Sequence, residues 1–383
     1  MYNCVRNEDL SVTLTLTQKE FKEHFCFCSD CGEVMFVDDA IRIHEKYFCE
    51  CCVTTCDCCG EVIPLENVYH VEDSDYAYCR DCYLSRTCVC NDCGRHFRYE
   101  DSLSEVGDNW YCDECYPNHE PTIREYHSQK NYGDIKFYGD EDRSDALFIG
   151  FELEVDSDQR FDREAVAREL QSQFDDFFAY ENDGSLNYGF EIISQPASLA
   201  YHLGMMPKYR EAFRYLVDNG VRSHDVESCG FHHHLDRRYF GKREDCAIAK
   251  LLYLFEKFHK ELLVFSRRTE EQCSRWCRSR KQHYRGEAGW IKESLKESRY
   301  GCDYQSRYFA LNLTNTDTIE LRLWHGTLNP ETFEATLRFT ARLAELCKNT
   351  KAVELSKMTF EDLLGSDEVI LSYWNRISKQ GGE

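Results

Sequence analysis

The sequence predicts an α+β fold: a curved, mainly antiparallel sheet backed by helices, preceded by small metal-clasped cysteine modules. Three observations predict it. Apolar and polar residues alternate over several short runs, apolar residues recur at helical spacing between those runs, and cysteines pair as Cys-x2-Cys in the first third.

At 383 residues the chain is long enough for two or three domains, and 42% hydrophobic with 14% aromatic residues supplies a sizeable core. The formal net charge is -23, and it is uneven: residues 1–142 hold 30 acidic against 12 basic side chains. That balance weighs against nucleic acid as a partner, since phosphate binding needs clustered Lys and Arg. The opening residues, Met1-Tyr2-Asn3-Cys4-Val5-Arg6, lack the apolar stretch of a signal peptide, and no run reaches the ~18 apolar residues of a membrane span. The expectation is a cytoplasmic protein with no membrane segment. In a reducing compartment its 23 cysteines, 17 of them before residue 116, are expected to bind metal rather than form disulfides.

Those cysteines form a threefold repeat. Cys28-x2-Cys31-Gly32 is followed by Cys49-x2-Cys52, Cys56-x2-Cys59-Gly60 by Cys79-x2-Cys82, and Cys90-x2-Cys93-Gly94 by Cys112-x2-Cys115. An aromatic residue (Phe48, Tyr78 or Tyr111) precedes each third cysteine. Zn²⁺ takes four soft ligands in a tetrahedron, and one Cys-x2-Cys turn supplies two of them. The glycine after the second cysteine permits the positive φ that such a turn requires. Three structural zinc sites are therefore expected, and four thiolates leave no open position for catalysis. Cys26, Cys51, Cys58 and Cys88 fall outside the repeat, with Cys51 or Cys58 available as a substitute ligand. The first two copies resemble a LIM domain in spacing, although Cys49 stands where a LIM domain usually has histidine. Modules of that kind bind protein partners. The expected organisation is an N-terminal segment over 1–25, three tandem modules over 26–116, a polar linker over 117–146, and a second domain over 147–383. Tyr132, Phe137 and Tyr138, late in a linker interrupted by Gly133 and Gly139, are expected to pack on the second domain.

In the second domain Ile149, Phe151, Leu153 and Val155 alternate with Glu152 and Glu154, so the two acids share a strand face. The same parity places Glu320 opposite Ile319 and Leu321 within 318–324, with Arg322 beside it. It places Asn312 within 309–313, Glu191 within 190–194, and His232 with His234, rather than His233, within 231–235. Helices are expected over 162–180 and 242–265, and from Asn329, where an N-cap is followed by Pro330 at the first helical position. Two carboxylates ~5 Å apart at an effective dielectric of ~20 repel by about 3 kcal/mol. A face carrying Glu152, Glu154, Glu191 and Glu320 is therefore expected to hold a divalent ion such as Mg²⁺ or Mn²⁺, with one histidine admissible, especially for Mn²⁺.

The ordered motifs Gly150-Phe151-Glu152-Leu153-Glu154, Asn182-Asp183-Gly184-Ser185-Leu186, Glu191-Ile192-Ile193-Ser194-Gln195-Pro196, Cys229-Gly230-Phe231-His232-His233-His234 and Thr318-Ile319-Glu320-Leu321-Arg322 resemble the glutamine synthetase-like carboxylate–amine ligases, and among them the amidoligase branch, over residues 145–350. The resemblance implies a funnel-shaped antiparallel sheet holding Mg²⁺ ions and ATP. It implies an enzyme that joins a carboxylate to an amine through an acyl phosphate, on small molecules or on a peptide or protein recruited by the zinc modules. By position, it makes Glu152, Glu154, Glu191, His232, His234 and Glu320 metal ligands, with His232 and His234 also reaching nucleotide. Asp183 becomes a second acid, Arg322 a phosphate or carboxylate contact, and Asn312 part of the substrate end. Arg307 and the basic segment with Arg278, Arg280 and Lys281 are phosphate candidates; an exposed basic helix is the alternative for that segment. Two other readings stay open: a non-catalytic zinc-module adaptor with a degenerate ligase domain, and a phosphotransferase of the guanidino-kinase type.

Overall fold

The computed structural model describes residues 3–6, 12–71, 74–99, 101, 103–106, 108–126, 135–139, 146–286, 289–300 and 307–380. Tyr132 and Gly133 lie outside the described residues. The chain divides into two compact units, Met1–Pro121 and Thr122–Glu383.

In the first unit each cysteine repeat is a pair of antiparallel hairpins. The first copy pairs Phe25–Phe27 with Val34–Phe36 and Ile41–Ile43 with Lys46–Phe48. The second pairs Val53–Thr55 with Val62–Pro64 and Tyr69–His70 with Ala77–Tyr78. The third pairs Thr87–Val89 with His96–Arg98 and Leu103–Val106 with Asn109–Cys112. The chain reverses at Gly32, Gly60 and Gly94, whose φ values of +77°, +76° and +71° suit a residue without Cβ. Each glycine N–H donates to the carbonyl of the first cysteine of its copy, at 3.0, 2.8 and 2.9 Å. The cores are small. Phe48, Tyr78 and Tyr111, the aromatic residues before the third cysteines, are each buried against cysteines of their own copy.

The second unit is built on one eight-stranded sheet. Its strands are β1 (Ile123–Arg124), β2 (Phe148–Val155), β3 (Phe178–Glu181), β4 (Phe190–Ser194), β5 (Ala197–Ser198), β6 (Phe231–Asp236), β7 (Leu311–Asn312) and β8 (Thr318–Leu321). They run in the order β1-β3-β4-β2-β6-β8-β7, with β5 also paired to β2. All the ladders are antiparallel except β1 with β3. The curved, funnel-like sheet expected from the sequence does not form. The sheet is an open path whose end strands, β1 and β7, pair with different neighbours and carry two residues each. Alternation along a strand reports which face is buried; curvature depends on bulges and strand coiling, which alternation does not encode.

Part of the segment read as a linker belongs to this unit. Ile123–Arg124 supplies β1, and Thr122 and Ile123 donate backbone N–H groups to the Glu164 carboxylate. Tyr138 donates its N–H to the Pro196 carbonyl and accepts from Ser198 N–H, while Phe137 packs edge-on to Phe148.

The helices differ from the expected spans where the backbone turns. The first, α1, is Arg163–Phe174 rather than 162–180; Asp162 caps it, and Asp175 at φ +50° ends it so that Phe178–Glu181 joins the sheet. The expected 242–265 helix is two, Glu244–Lys257 and His259–Ser266, broken at Phe258. At Asn329 the expected cap is present: its Oδ1 accepts the Thr332 N–H at 2.9 Å, starting the helix Pro330–Asn349.

The core lies on the apolar face of the sheet. Phe151 of β2 and Phe231 of β6 meet Phe333 of Pro330–Asn349 at ring-centroid distances of 5.2 and 4.7 Å. Phe333 also meets Tyr209 and Phe213 of the helix Leu199–Asp218. Phe333→Ala is expected to cost about 3–5 kcal/mol, because a fully buried ring between three elements leaves a cavity that rigid neighbours cannot fill. The urea midpoint should fall with an unchanged m-value; an unchanged midpoint would show that the ring is not at a packed junction.

Candidate functional site

The opposite face of the same sheet gathers the polar residues, and the register shows how. Glu181, Glu191 and Glu154 are aligned across β3, β4 and β2. One step along, Glu152 is opposite His232, and beyond that His234 is opposite Glu320, which is opposite Asn312. Because side chains alternate, all of these share one face, while Phe151, Leu153, Phe231 and His233 point to the other. His233 is a core residue, its Nδ1 bonded to the Thr340 hydroxyl at 2.8 Å.

Two groups of potential ligands result, and they share Glu152. Glu152, His234 and Glu320 form one; Glu152, Glu191 and His232 form the other, with ligand atoms within 4.8 Å of one another in each. Glu152 Oε1 lies 2.9 Å from His234 Nε2, and its Oε2 lies 3.2 Å from His232 Nδ1. Glu320 accepts from Asn312 Nδ2 at 2.6 Å and lies 2.5 Å from Arg322 Nη1. Glu154 accepts the Gly230 N–H at 2.5 Å.

The environment drives these carboxyls apart. Burial pushes Glu191 up, Glu152 and Glu154 add to it, and its carboxyl sits well above the usual range. Burial also raises Glu154, against His232, with Asp183 adding to the rise. At Glu152 burial is outweighed by His234 and His232, which hold the carboxyl well below its usual value. At Glu320 burial is outweighed by Arg322 and His234, which lower it. Burial lowers His234, but Glu152 and Glu320 bring it up to about 9.

Beside these groups opens a cavity of about 360 Å³. It is lined by the acidic Glu154 and Asp183, by His232, by Arg268, Arg307 and Arg322, and by the aromatic rings of Tyr126, Trp276 and Tyr308. Arg307 donates to the Tyr126 hydroxyl at 2.9 Å.

The basic segment with Arg278, Arg280 and Lys281 goes elsewhere. Arg280 is buried in an ion pair with Glu297 at 2.7 Å, donates to the Leu311 carbonyl at 3.2 Å, and lies over the Phe309 ring. Arg278 forms a backbone bridge to Phe309, and Lys281 is exposed. These three brace β7 or face solvent, and from that segment it is Trp276 that reaches the cavity. Asn312 is buried against Glu320 instead of lining the cavity, and so orients a carboxylate.

The three cysteine groups form as the spacing predicts: Cys28, Cys31, Cys49 and Cys52; Cys56, Cys59, Cys79 and Cys82; Cys90, Cys93, Cys112 and Cys115. Cys51 and Cys58 are exposed and outside them. A tetrahedron with metal–sulfur bonds of ~2.3 Å has edges of about 3.8 Å. The Cys31–Cys49, Cys59–Cys79 and Cys93–Cys112 sulfur pairs lie 3.7, 3.8 and 3.9 Å apart. Burial raises the thiols of Cys28, Cys56 and Cys90, yet backbone N–H donors around each sulfur outweigh it and bring them to about 6. These groups are therefore able to chelate a metal ion, and the distances suit zinc.

Residues 119–344, more than half of the chain, match the family described as "Putative amidoligase enzyme". The chain belongs to that family. No curated protein matches it. Within the amidoligase domain two residues escaped the sequence reading. Glu181 extends the acidic row, opposite Glu191, but its strand Phe178–Glu181 was absorbed into an expected helix. Arg268 follows the helix His259–Ser266, where no alternation marks it. Among the described residues no helix is long and apolar enough to cross a membrane.

Proposed function

We propose that the amidoligase domain is an ATP- and divalent-metal-dependent carboxylate–amine ligase, forming an amide or isopeptide bond through an acyl phosphate. The observation that carries this reading is the pair of ligand groups sharing Glu152, beside an arginine-lined cavity. The donor set fits divalent ions: each group offers two carboxylates and an imidazole, which admits Mg²⁺ and suits Mn²⁺ better. Glu152, Glu320 and His234 would hold one ion, and Glu152, Glu191 and His232 the other. When bound, such ions neutralise nucleotide phosphates and act as Lewis acids.

The substrate carboxylate takes the γ-phosphoryl of ATP, ADP leaves, and an amine nitrogen then displaces phosphate with loss of a proton. In this chain Arg322 and Arg307 face the cavity and hold phosphoryl or carboxylate oxygens by charge-assisted bonds. A lysine-type amine has a pKa of ~10.4 and must lose its proton before attack. Asp183, half-buried on the cavity wall, would accept it. The zinc-type modules recruit the target, a peptide or protein being the class that such appended surfaces fit.

The test is to incubate the chain with ATP, a divalent ion and a mixture of acids and amines, then follow ADP and condensed mass. A condensed product supports the ligase. A stable phosphorylated product without amide would indicate a phosphotransferase, and nucleotide binding without turnover an adaptor.

A pH experiment addresses the ions. Glu191, raised in the folded chain, stabilises the fold while protonated. That contribution is complete below the ordinary carboxylate pKa of ~4.3 and is lost as pH rises through the raised value. Without divalent ions the melting temperature of wild type relative to Glu191→Gln should therefore fall as pH increases. Saturating Mn²⁺ should cancel the fall in wild type, and a curve indifferent to Mn²⁺ would argue against Glu191 as a ligand.

A further inference from the structure

The helix His259–Ser266 ends at Arg267, whose φ of +62° is left-handed, and the turn sends the next side chain inward. Arg268 is 4% exposed and lines the cavity. Its backbone N–H donates to Ser266 Oγ at 3.2 Å, and its Nη2 donates to the Trp324 carbonyl at 3.3 Å. Its Nε and Nη1 are buried and have no hydrogen-bond partner among the described residues. Gly230 makes room for it: a Cβ there would come within 2.9 Å of Arg268 Nη2 and 2.4 Å of His232 Nε2.

A guanidinium stays charged at any physiological pH, so burial cannot be relieved by losing a proton. A buried charge left without a partner costs several kcal/mol. Of the neighbouring arginines, Arg322 is ion-paired with Glu320, though its Nε is likewise buried without a partner among the described residues, and Arg307 donates to the Tyr126 hydroxyl. Arg268 makes no ion pair with a carboxylate among the described residues, and its side chain lines the cavity. An anion entering the cavity would complete it.

We propose that Arg268 anchors an oxyanion subsite in this cavity, taking either a nucleotide phosphoryl group or the carboxylate of the acid substrate. The ligase reading supplies the names of those two sources; the anion site itself stands on the geometry of Arg268. Arg268 would be a binding residue separate from the carboxylate and histidine groups that share Glu152.

The test uses the full-length, metal-loaded chain and calorimetric titration with inorganic phosphate, ADP with Mg²⁺, and acetate. Wild type, Arg268→Lys and Arg268→Gln are compared. The glutamine variant is expected to bind phosphate at least tenfold more weakly, with lysine in between because it keeps charge without the planar fork. A parallel loss for ADP assigns the site to nucleotide; a loss confined to acetate assigns it to the acid substrate. Unchanged binding of all three probes by a glutamine variant that melts like wild type overturns the proposal. Should that variant not fold, wild-type crystals soaked in phosphate decide: an oxyanion within hydrogen-bond distance of Arg268 supports the subsite, and its absence there overturns it. Turnover is not read in these assays. Phosphate binding through Arg268 in a chain that condenses nothing defeats the ligase reading alone, whereas a working ligase indifferent to Arg268→Gln defeats this one alone.

Discussion

Glu152→Ala is expected to abolish amine-dependent ADP release by the amidoligase domain while leaving the cysteine modules folded. Glu152 is the one residue common to both ligand groups, and each of its oxygens faces a different histidine. Its loss removes a potential ligand from both groups at once and leaves two residues in each. A single lost electrostatic contact in an active site typically costs about 10²–10³ in rate. With both groups damaged the activity should fall below detection. Glu320→Ala, which touches one group, should also be severe but leave the group of Glu152, Glu191 and His232 intact. Glu152→Gln separates charge from shape, since it keeps the volume and a hydrogen-bonding oxygen. Full activity in Glu152→Ala would remove the shared-ligand arrangement from the mechanism.

The second large effect concerns metal in the first unit. A strong chelator is expected to unfold the modules over 26–116 and expose the twelve clustered thiols, while the unit Thr122–Glu383 keeps its secondary structure. The reason is the size of the cores. The first and third modules bury three clustered residues each and the second buries five, with several of these being the cysteines themselves. At ~1.5–3 kcal/mol per buried side chain, such clusters cannot offset a backbone entropy of ~1–2 kcal/mol per ordered residue. A structural zinc supplies ~10–16 kcal/mol of apparent folding free energy. Thiol titration alongside circular dichroism reads both effects together. Native ellipticity with the metal fully removed would refute a structural role for these sites.

Much of the site could be read along the chain because strand parity is local. Glu152 with Glu154, and His232 with His234, must share a face wherever their strands stay regular, and His233 must leave it. The four-cysteine groups were equally legible, since Cys-x2-Cys and the following glycine fix a turn without help from distant residues. The basic segment misled for the opposite reason. Arg280 looks like a phosphate contact in sequence, but Glu297, 17 positions away, captures it. Glu181 was hidden because Asp175 breaks the helix by adopting a left-handed φ, a choice that local propensity does not announce.

The sequence by itself determined which residues face together within each strand and which cysteines share a metal-binding knuckle, because both follow from backbone periodicity over a few residues. Tertiary structure alone decided that the sheet stays open, that the two ligand groups share Glu152, and that Arg268 arrives at the cavity. Those outcomes depend on strand order and on where a helix ends. They are set by the packing of segments far apart in the chain, which no local pattern specifies.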